Sequence, residues 1–152
     1  MSEVFVINGK VSNWEEALKM TGLELFHNGC VVEEFWEKCV EREREYPTGL
    51  TEFCPVAIPH ASKDFVVKQA ICALKLEEPV KFRSMADWDQ DIDVRYVLNL
   101  ALLDDSEHIK IVTRVIRSLK DPEFLKRMDD CDVEELKILL NEHFMMAQPD
   151  EE

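Results

Sequence analysis

In the first third of the chain, apolar side chains recur every three or four residues in two stretches, a spacing typical of amphipathic helices. The first stretch starts near Trp14, which follows the candidate helix caps Ser12 and Asn13. It ends at Asn28-Gly29, a common helix stop. The second stretch predicts a helix whose apolar face is formed by Val32, Phe35, Trp36, Cys39 and Val40.

Shorter apolar runs without helical spacing predict strands. The longest run, residues 94–103, is almost entirely apolar, which is typical of a central strand buried on both faces. A first strand over residues 4–7 is closed by the turn signal Asn8-Gly9. The other predicted strands cover residues 56–58, 70–76 and 80–82.

The last third of the chain is predicted to be helical. Ser106 is the candidate cap of a helix, and Asp121-Pro122 starts a short one with proline in its first turn. The apolar positions of the first of these helices are Ile109, Val112, Ile116 and Leu119, and those of a final helix are Val133, Leu136, Leu139 and Leu140.

This order of elements predicts an α/β fold: a single layered domain with a mixed sheet of about four to five strands flanked by helices. No linker or repeat divides the chain, so we expect one domain over residues 1–147 and an acidic tail over residues 148–152. Signatures of nucleotide-binding and hydrolase folds are absent from the sequence.

Charge narrows the range of functions. The chain has 32 acidic and 18 basic residues and a net charge of −14, which opposes binding to nucleic acids or anionic membranes. No apolar run approaches the ~20 residues that a membrane span needs. The N-terminus lacks the features of a signal peptide, so we expect a cytoplasmic protein with no direct membrane insertion. The 5 cysteines form no C-x-x-C pair, which favours buried, reduced thiols.

Four polar residues are candidates for chemistry. His60 follows a short strand that ends in Pro59, and the ends of strands are favoured ligand sites in α/β sheets. His108 lies at the start of a helix, where backbone N–H groups suit an anion. Arg42 and Thr48 flank the preceding turn and can bind phosphate oxygens. These residues predict a small phosphate pocket.

The same residues resemble the enzyme IIA proteins of the bacterial phosphoenolpyruvate:sugar phosphotransferase system, in the mannitol/fructose superfamily. The matching elements occur in the family's order and cover nearly the whole chain. They are Arg42-Glu43, Pro47-Thr48, Pro59-His60-Ala61 and the second histidine, His108.

This resemblance implies a phosphocarrier enzyme. His60 would accept a phosphoryl group on Nε2 from the carrier HPr and pass it to a cysteine of a cognate IIB, which works with a membrane IIC. His108 would hydrogen-bond the phosphoryl oxygens or His60, Arg42 would balance the charge of those oxygens, and Thr48 would donate a further hydrogen bond. No cofactor or metal is implied.

Tyr46-Pro47-Thr48 and the acidic stretch before residues 94–103 are most similar to galactitol-type IIA proteins. The connection from Leu50 to Ala57 is longer than the family's common pattern, which affects where Thr48 lies. A phosphohistidine adds negative charge to an anionic protein, so we expect a pocket that is locally positive or rich in dipoles, with Arg42, Lys63 and the helix start at His108 as the candidate groups.

Two alternatives stay open. One is a regulatory module of the same fold, similar to the nitrogen-type IIA proteins, that signals to protein targets. The other is a hydrolase using Cys54 and His60, or a metal site formed by His60, His108 and acidic residues.

Overall fold

In the computed structural model of the chain, which describes residues 3–50 and 55–147, five strands form one mixed sheet. They are β1 (Glu3–Gly9), β2 (Gly49–Leu50), β3 (Val56–Ala57), β4 (Ala70–Arg83) and β5 (Asp91–Ala101). The spatial order is β1-β4-β5-β3-β2. The β1–β4 and β3–β5 pairs are parallel, whereas the β4–β5 and β2–β3 pairs are antiparallel.

Helices cover both faces of this sheet. They are α1 (Trp14–His27), α2 (Phe35–Glu45), α3 (Asp105–Leu119), α4 (Pro122–Asp130) and α5 (Val133–Leu140). A 3₁₀ turn covers Lys63–Phe65, and a π-helical turn covers Asn141–Met145.

Alternate residues of the central strands belong to two separate cores, because successive side chains of a strand point to opposite faces. Cys72 and Leu74 of β4 pack with α1 and α2. Ile71 and Ala73, their neighbours, pack with α3, α4 and α5. The predicted α/β fold, a single layered domain with a mixed sheet between helices, is confirmed.

The first helix has the predicted ends. Asn13 caps it by accepting the Glu16 N–H at 2.9 Å, and Gly29 follows it at a positive φ of 75°. Gly22 lets α2 approach closely, since a Cβ at this position would lie 2.4 Å from the Cβ of Trp36. The buried face of α1 is formed by Ala17, Leu18, Thr21, Gly22 and Leu25.

Some predicted boundaries are wrong. Asn8-Gly9 is not a turn, because β1 stays paired with β4 as far as Gly9. The second helix starts at Phe35, so Val32 lies before the helix and not on its apolar face. The N–H of Val32 donates to the Phe65 carbonyl at 3.0 Å. The predicted strands 70–76 and 80–82 form the single strand β4, with a register shift between Lys75 and Val80.

The cap and the buried face of α3 also differ from the prediction. Asp104 is the cap, and it accepts the N–H of Ser106 at 2.7 Å. Ser106 therefore lies inside the helix. Ile109 is 66% exposed, whereas Ile111 and Val115 are buried. The helix carries apolar side chains on two faces, and the sheet covers the face with Ile111.

Three cysteines, Cys30, Cys39 and Cys72, are buried free thiols as predicted, while Cys131 is half-buried. Cys54 and the predicted tail 148–152 lie outside the described residues. Within the part of the chain that the structure describes, no helix is both long and apolar enough to cross a membrane.

Candidate active site

The parallel pairing of β3 and β5 brings two histidines to one edge of the sheet. His60 follows β3 and lies beside Leu100 of β5, whose N–H donates to the Pro59 carbonyl at 2.9 Å. His108 lies in the first turns of α3, which follows β5. Since parallel strands end at the same edge, the two rings meet there. Their centroids are 4.8 Å apart, and the rings are edge-on at 67°.

Two hydrogen bonds orient the His60 ring. Its Nδ1 lies 3.2 Å from the Ile58 carbonyl oxygen, and its Nε2 lies 3.1 Å from Nε of Arg42. A carbonyl only accepts and this arginine nitrogen only donates, so the neutral ring carries its proton on Nδ1. The lone pair on Nε2 therefore faces Arg42 and accepts its N–H.

Burial and positive neighbours keep His60 neutral. Burial lowers the pKa of His60 to about 4, and the charges of Arg42 and His108 act in the same direction, against the opposing hydrogen bond to Ile58. Burial also lowers the pKa of His108, again aided by Arg42 and opposed by Asp105. A neutral imidazole is the nucleophilic form, so both rings suit reaction near neutral pH.

Arg42 lies in the last turn of α2 and bridges the site to a pair of exposed aromatic residues. Its guanidinium lies 5.3 Å from the ring centre of Tyr46, a cation–π distance. Trp88, from the turn between β4 and β5, packs edge-on against Tyr46, with ring centroids 6.2 Å apart. These contacts hold Arg42 beside His60.

The histidines line an open cavity of about 410 Å³. Two cations, Arg42 and Lys63, face two carboxylates, Asp104 and Asp105, and Lys63 pairs with Asp105 at 3.9 Å. The cavity is therefore balanced in formal charge, and the predicted positive pocket is not found. Its lining is Arg42, His60, Ala61, Ser62, Lys63, Leu100, Leu102, Asp104, Asp105, His108 and Ile109.

A side chain occupies two of the N–H groups that the sequence suggested would be free at the start of α3. Oδ1 of Asp104 accepts the N–H of Ser106 at 2.7 Å and that of Glu107 at 3.4 Å. The hydrogen bonds to Ser106 and Glu107 lower the pKa of Asp104 and keep the cap ionised. The helix terminus thus carries its own anion.

Thr48 is the one predicted site residue that the structure does not bring to the cavity. It is buried, at 4% exposure, and its Oγ1 donates to Oε1 of Glu43 at 2.8 Å. Its N–H donates to Oε2 of the same carboxylate, also at 2.8 Å. Burial raises the pKa of Glu43 to about 7, opposed by the hydrogen bonds from Thr48 and by Arg83 and Arg42.

The sequence interpretation gave Glu43 no role beyond its place in the Arg-Glu motif. A signal was present: Glu43 lies four residues after Cys39 and eight after Phe35, on the buried face of α2. A carboxylate at that position needs partners. Among the described residues, no group of three or more histidine, cysteine, aspartate or glutamate side chains could hold a metal ion.

Two relatives match most of this chain in sequence. The galactitol-specific EIIA component of Escherichia coli O6:H1 is 28% identical over 130 residues, which cover 84% of this chain and 86% of that protein. The mannitol-specific EIICBA component of E. coli K12 is 28% identical over 130 residues. The chain spans 19% of the length of that mannitol component.

Solved structures with the same fold agree. The crystal structure of IIA mannitol from E. coli is 30% identical, with a TM-score of 0.72, covering 91% of this chain and 95% of that one. An NMR complex of E. coli enzyme IIA mannitol with phosphorylated enzyme IIB mannitol is 29% identical, with a TM-score of 0.73, covering 91% and 93%. Residues 1–143 match the family model described as "Phosphoenolpyruvate-dependent sugar phosphotransferase system, EIIA 2", and the chain belongs to this family.

Proposed function

We propose that this protein is a phosphocarrier that accepts a phosphoryl group from phospho-HPr on Nε2 of His60 and passes it to a cysteine of a cognate IIB. The single observation that carries this proposal is the His60 ring, protonated on Nδ1, with the Nε2 lone pair beside Arg42. Family membership supports the class of reaction. The IIA–IIB complex among its structural neighbours supports the acceptor.

In the first transfer, Nε2 of His60 attacks the phosphorus while the nitrogen–phosphorus bond to the histidine of HPr breaks. That histidine leaves with the bonding electron pair. Arg42 donates to Nε2 before the transfer, and as the phosphorus approaches, its guanidinium gives up that hydrogen bond and donates to the phosphoryl oxygens instead. We assign a second hydrogen bond to the same oxygens to His108, whose ring lies edge-on to that of His60. Such transfer depends mainly on positioning and charge stabilisation.

The second transfer uses the proton on Nδ1. Because this proton stays in place, the phosphorylated ring is cationic, and the Ile58 carbonyl stabilises its N–H. A cysteine thiolate of IIB attacks the phosphorus, the Nε2–phosphorus bond breaks, and the ring leaves as the neutral Nδ1-protonated tautomer. A cationic ring is a good leaving group, so the phosphoryl group stays easy to transfer.

The relatives support a polyol as the class of substrate in this proposal. Matches to galactitol and mannitol components favour uptake of a polyol through a IIB and a membrane IIC. The proposal includes a cytoplasmic location, because phosphoenolpyruvate is a cytoplasmic metabolite. The nitrogen-regulatory IIA of Neisseria meningitidis has the same fold at 20% identity and a TM-score of 0.70, which does not favour the regulatory alternative.

Phosphorylation in a reconstituted relay tests the proposal. Incubation with phosphoenolpyruvate, enzyme I and HPr should add one acid-labile phosphoryl group to the protein, detected by intact mass and by loss at low pH. The His60→Gln variant should accept none. The matched control is His27→Gln, at an exposed position in the last turn of α1, which should be labelled like wild type. Labelling of His60→Gln at the wild-type rate would overturn the assignment.

A further inference from the structure

We propose that Glu43 is a positioning residue that acts through Thr48 and the Ile58 peptide to hold His60 in its Nδ1-protonated, reactive tautomer. This inference rests on the proposed function for its effect on catalysis. It gives Thr48 a different role from the one implied by family resemblance, because Thr48 acts from behind the site and not on the phosphoryl group.

Glu43 and Thr48 are joined by two hydrogen bonds. Both carboxylate oxygens of Glu43 are occupied by Thr48, one by its N–H and one by its hydroxyl, each at 2.8 Å. This bidentate contact fixes the χ1 rotamer of Thr48, since the hydroxyl cannot rotate without losing its acceptor. Glu43 and Thr48 are both buried, so water does not replace either bond easily.

The Thr48 hydroxyl has a single proton, which limits the hydrogen bonds it can make. Thr48 gives that proton to Glu43, so its oxygen has only lone pairs left to offer. One of these accepts the N–H of Ile58 at 3.2 Å. The Thr48 carbonyl lies 3.4 Å from the same N–H. The N–H of Ile58 is therefore anchored by Thr48.

The carbonyl of Ile58, which belongs to the next peptide group, contacts the reacting ring. Ile58 directs its carbonyl to Nδ1 of His60 at 3.2 Å, and this contact keeps the proton on Nδ1 and the lone pair on Nε2. The path from the Glu43 carboxylate to the imidazole thus consists of hydrogen bonds on either side of Ile58, joined through the backbone of that residue. Thr48 is absent from the cavity lining, so it reaches the chemistry only through this path.

Contacts with neighbouring elements hold Glu43, the first residue of this hydrogen-bonded path, in place. Arg83 of β4 donates from Nη2 to the backbone carbonyls of Glu43, at 3.4 Å, and Arg44. Gly49, next to Thr48, packs so closely on this strand that a Cβ would lie 2.6 Å from the Arg83 carbonyl oxygen. The end of α2, strand β2 and strand β4 are therefore held together around Glu43.

The test compares Thr48→Val and Glu43→Gln with wild type by two readouts. The first is ¹⁵N NMR of the His60 ring at about pH 8, where the Glu43 carboxylate is ionised and the tautomer ratio is read directly. The second is the kinetics of transfer from phospho-HPr. We expect a smaller Nδ1-protonated fraction and a kcat about tenfold lower, with the KM for phospho-HPr changed less than about twofold. The double variant should lose little more than either single one.

Two further variants separate positioning from stability. Thr21→Val removes another buried hydroxyl, one that donates to Ala17 and accepts from Asn99, and it should lower the melting temperature without changing the His60 tautomer. Thr48→Ser keeps the hydroxyl and should keep both the tautomer and kcat. If Thr48→Val does not fold, Glu43→Gln decides the question.

A wild-type tautomer ratio and kcat in Glu43→Gln or Thr48→Val, with only a lower melting temperature, would overturn the inference. The tautomer is measured without any phosphoryl donor. It therefore tests the inference even if His60 accepts no phosphoryl group, the result that would overturn the proposed function alone.

Discussion

At the scale of single residues, the reactivity of His60 depends on its ring being neutral. Its pKa is lowered to about 4 by burial, with Arg42 and His108 adding to the effect. Because the folded state favours the neutral ring, this histidine adds stability above its usual pKa of about 6.5. That contribution is lost as the pH falls through about 4, where the ring is protonated in the fold.

Ring titration by ¹H–¹⁵N NMR measures this shift. The midpoint for His60 should lie well below 6.5, near 4, so the ring stays neutral through the physiological range. Removing a neighbouring cation by Arg42→Met should move the midpoint upward. A wild-type midpoint at or above the ordinary histidine value, or a midpoint unchanged in Arg42→Met, would contradict this account.

The sequence located three of the four predicted site residues in one place and missed the partner of the fourth. His60, His108 and Arg42 meet because two parallel strands and one helix end at the same edge, which strand patterns and a family motif both indicate. The environment of Thr48 depends on a contact across a turn to Glu43. Residue type alone does not say whether a threonine hydroxyl faces a ligand or a buried carboxylate.

At the scale of elements, the buried face of a helix was predicted correctly where its apolar residues form a single stripe. In α5, Leu136, Leu139 and Leu140 are all buried as predicted. In α3, apolar residues occupy two stripes, so only tertiary packing decides between Ile109 and Ile111. Strand β2 has 2 residues, too few for any periodicity, and it forms because the chain beside Thr48 lies against β3.

One long-range contact fastens α4 to the sheet. Lys75, half-buried on β4, donates from Nζ to the carbonyls of Met128, Asp129 and Cys131 at 3.3, 3.0 and 3.2 Å. These carbonyls lie at the end of α4, where helices leave acceptors without partners and favour a cation. The lysine thus serves as the C-terminal cap of a helix that lies far away in sequence.

Replacing Lys75 by methionine should lower the free energy of unfolding by about 2 kcal/mol, because charge-assisted hydrogen bonds to half-buried carbonyls are lost. Urea denaturation measures the change. Lys81→Met is the matched control: Lys81 is on the same strand, and its exposed pair with Asp93 at 3.1 Å should contribute less than about 1 kcal/mol. Equal losses in the two variants would show that Lys75 does not cap the helix.

At the scale of the whole molecule, the net charge of −14 contrasts with a cavity whose charged side chains balance. Arg42 and Lys63 are matched by Asp104 and Asp105 within the cavity, so the acidic excess of the described residues lies outside it. Two carboxylates lie beside the site: Glu41 and Glu45 line a neighbouring depression together with Arg42 and with Lys38, which pairs with Glu41 at 3.4 Å. A surface of this kind attracts partners with cationic faces.

The rate of phosphoryl transfer from phospho-HPr should therefore depend on salt. At an ionic strength of about 0.15 M the screening length is about 8 Å, so raising KCl from about 0.02 to about 0.5 M should lower kcat/KM at least about tenfold and leave kcat unchanged. The double variant Glu41→Gln/Glu45→Gln should flatten this dependence. The control pair Glu123→Gln/Glu134→Gln, on exposed positions of α4 and α5 away from the cavity lining, should keep the wild-type slope. A kcat/KM that does not change with salt, or equal slopes in both double variants, would mean that the surface charge serves solubility and does not guide partners to His60.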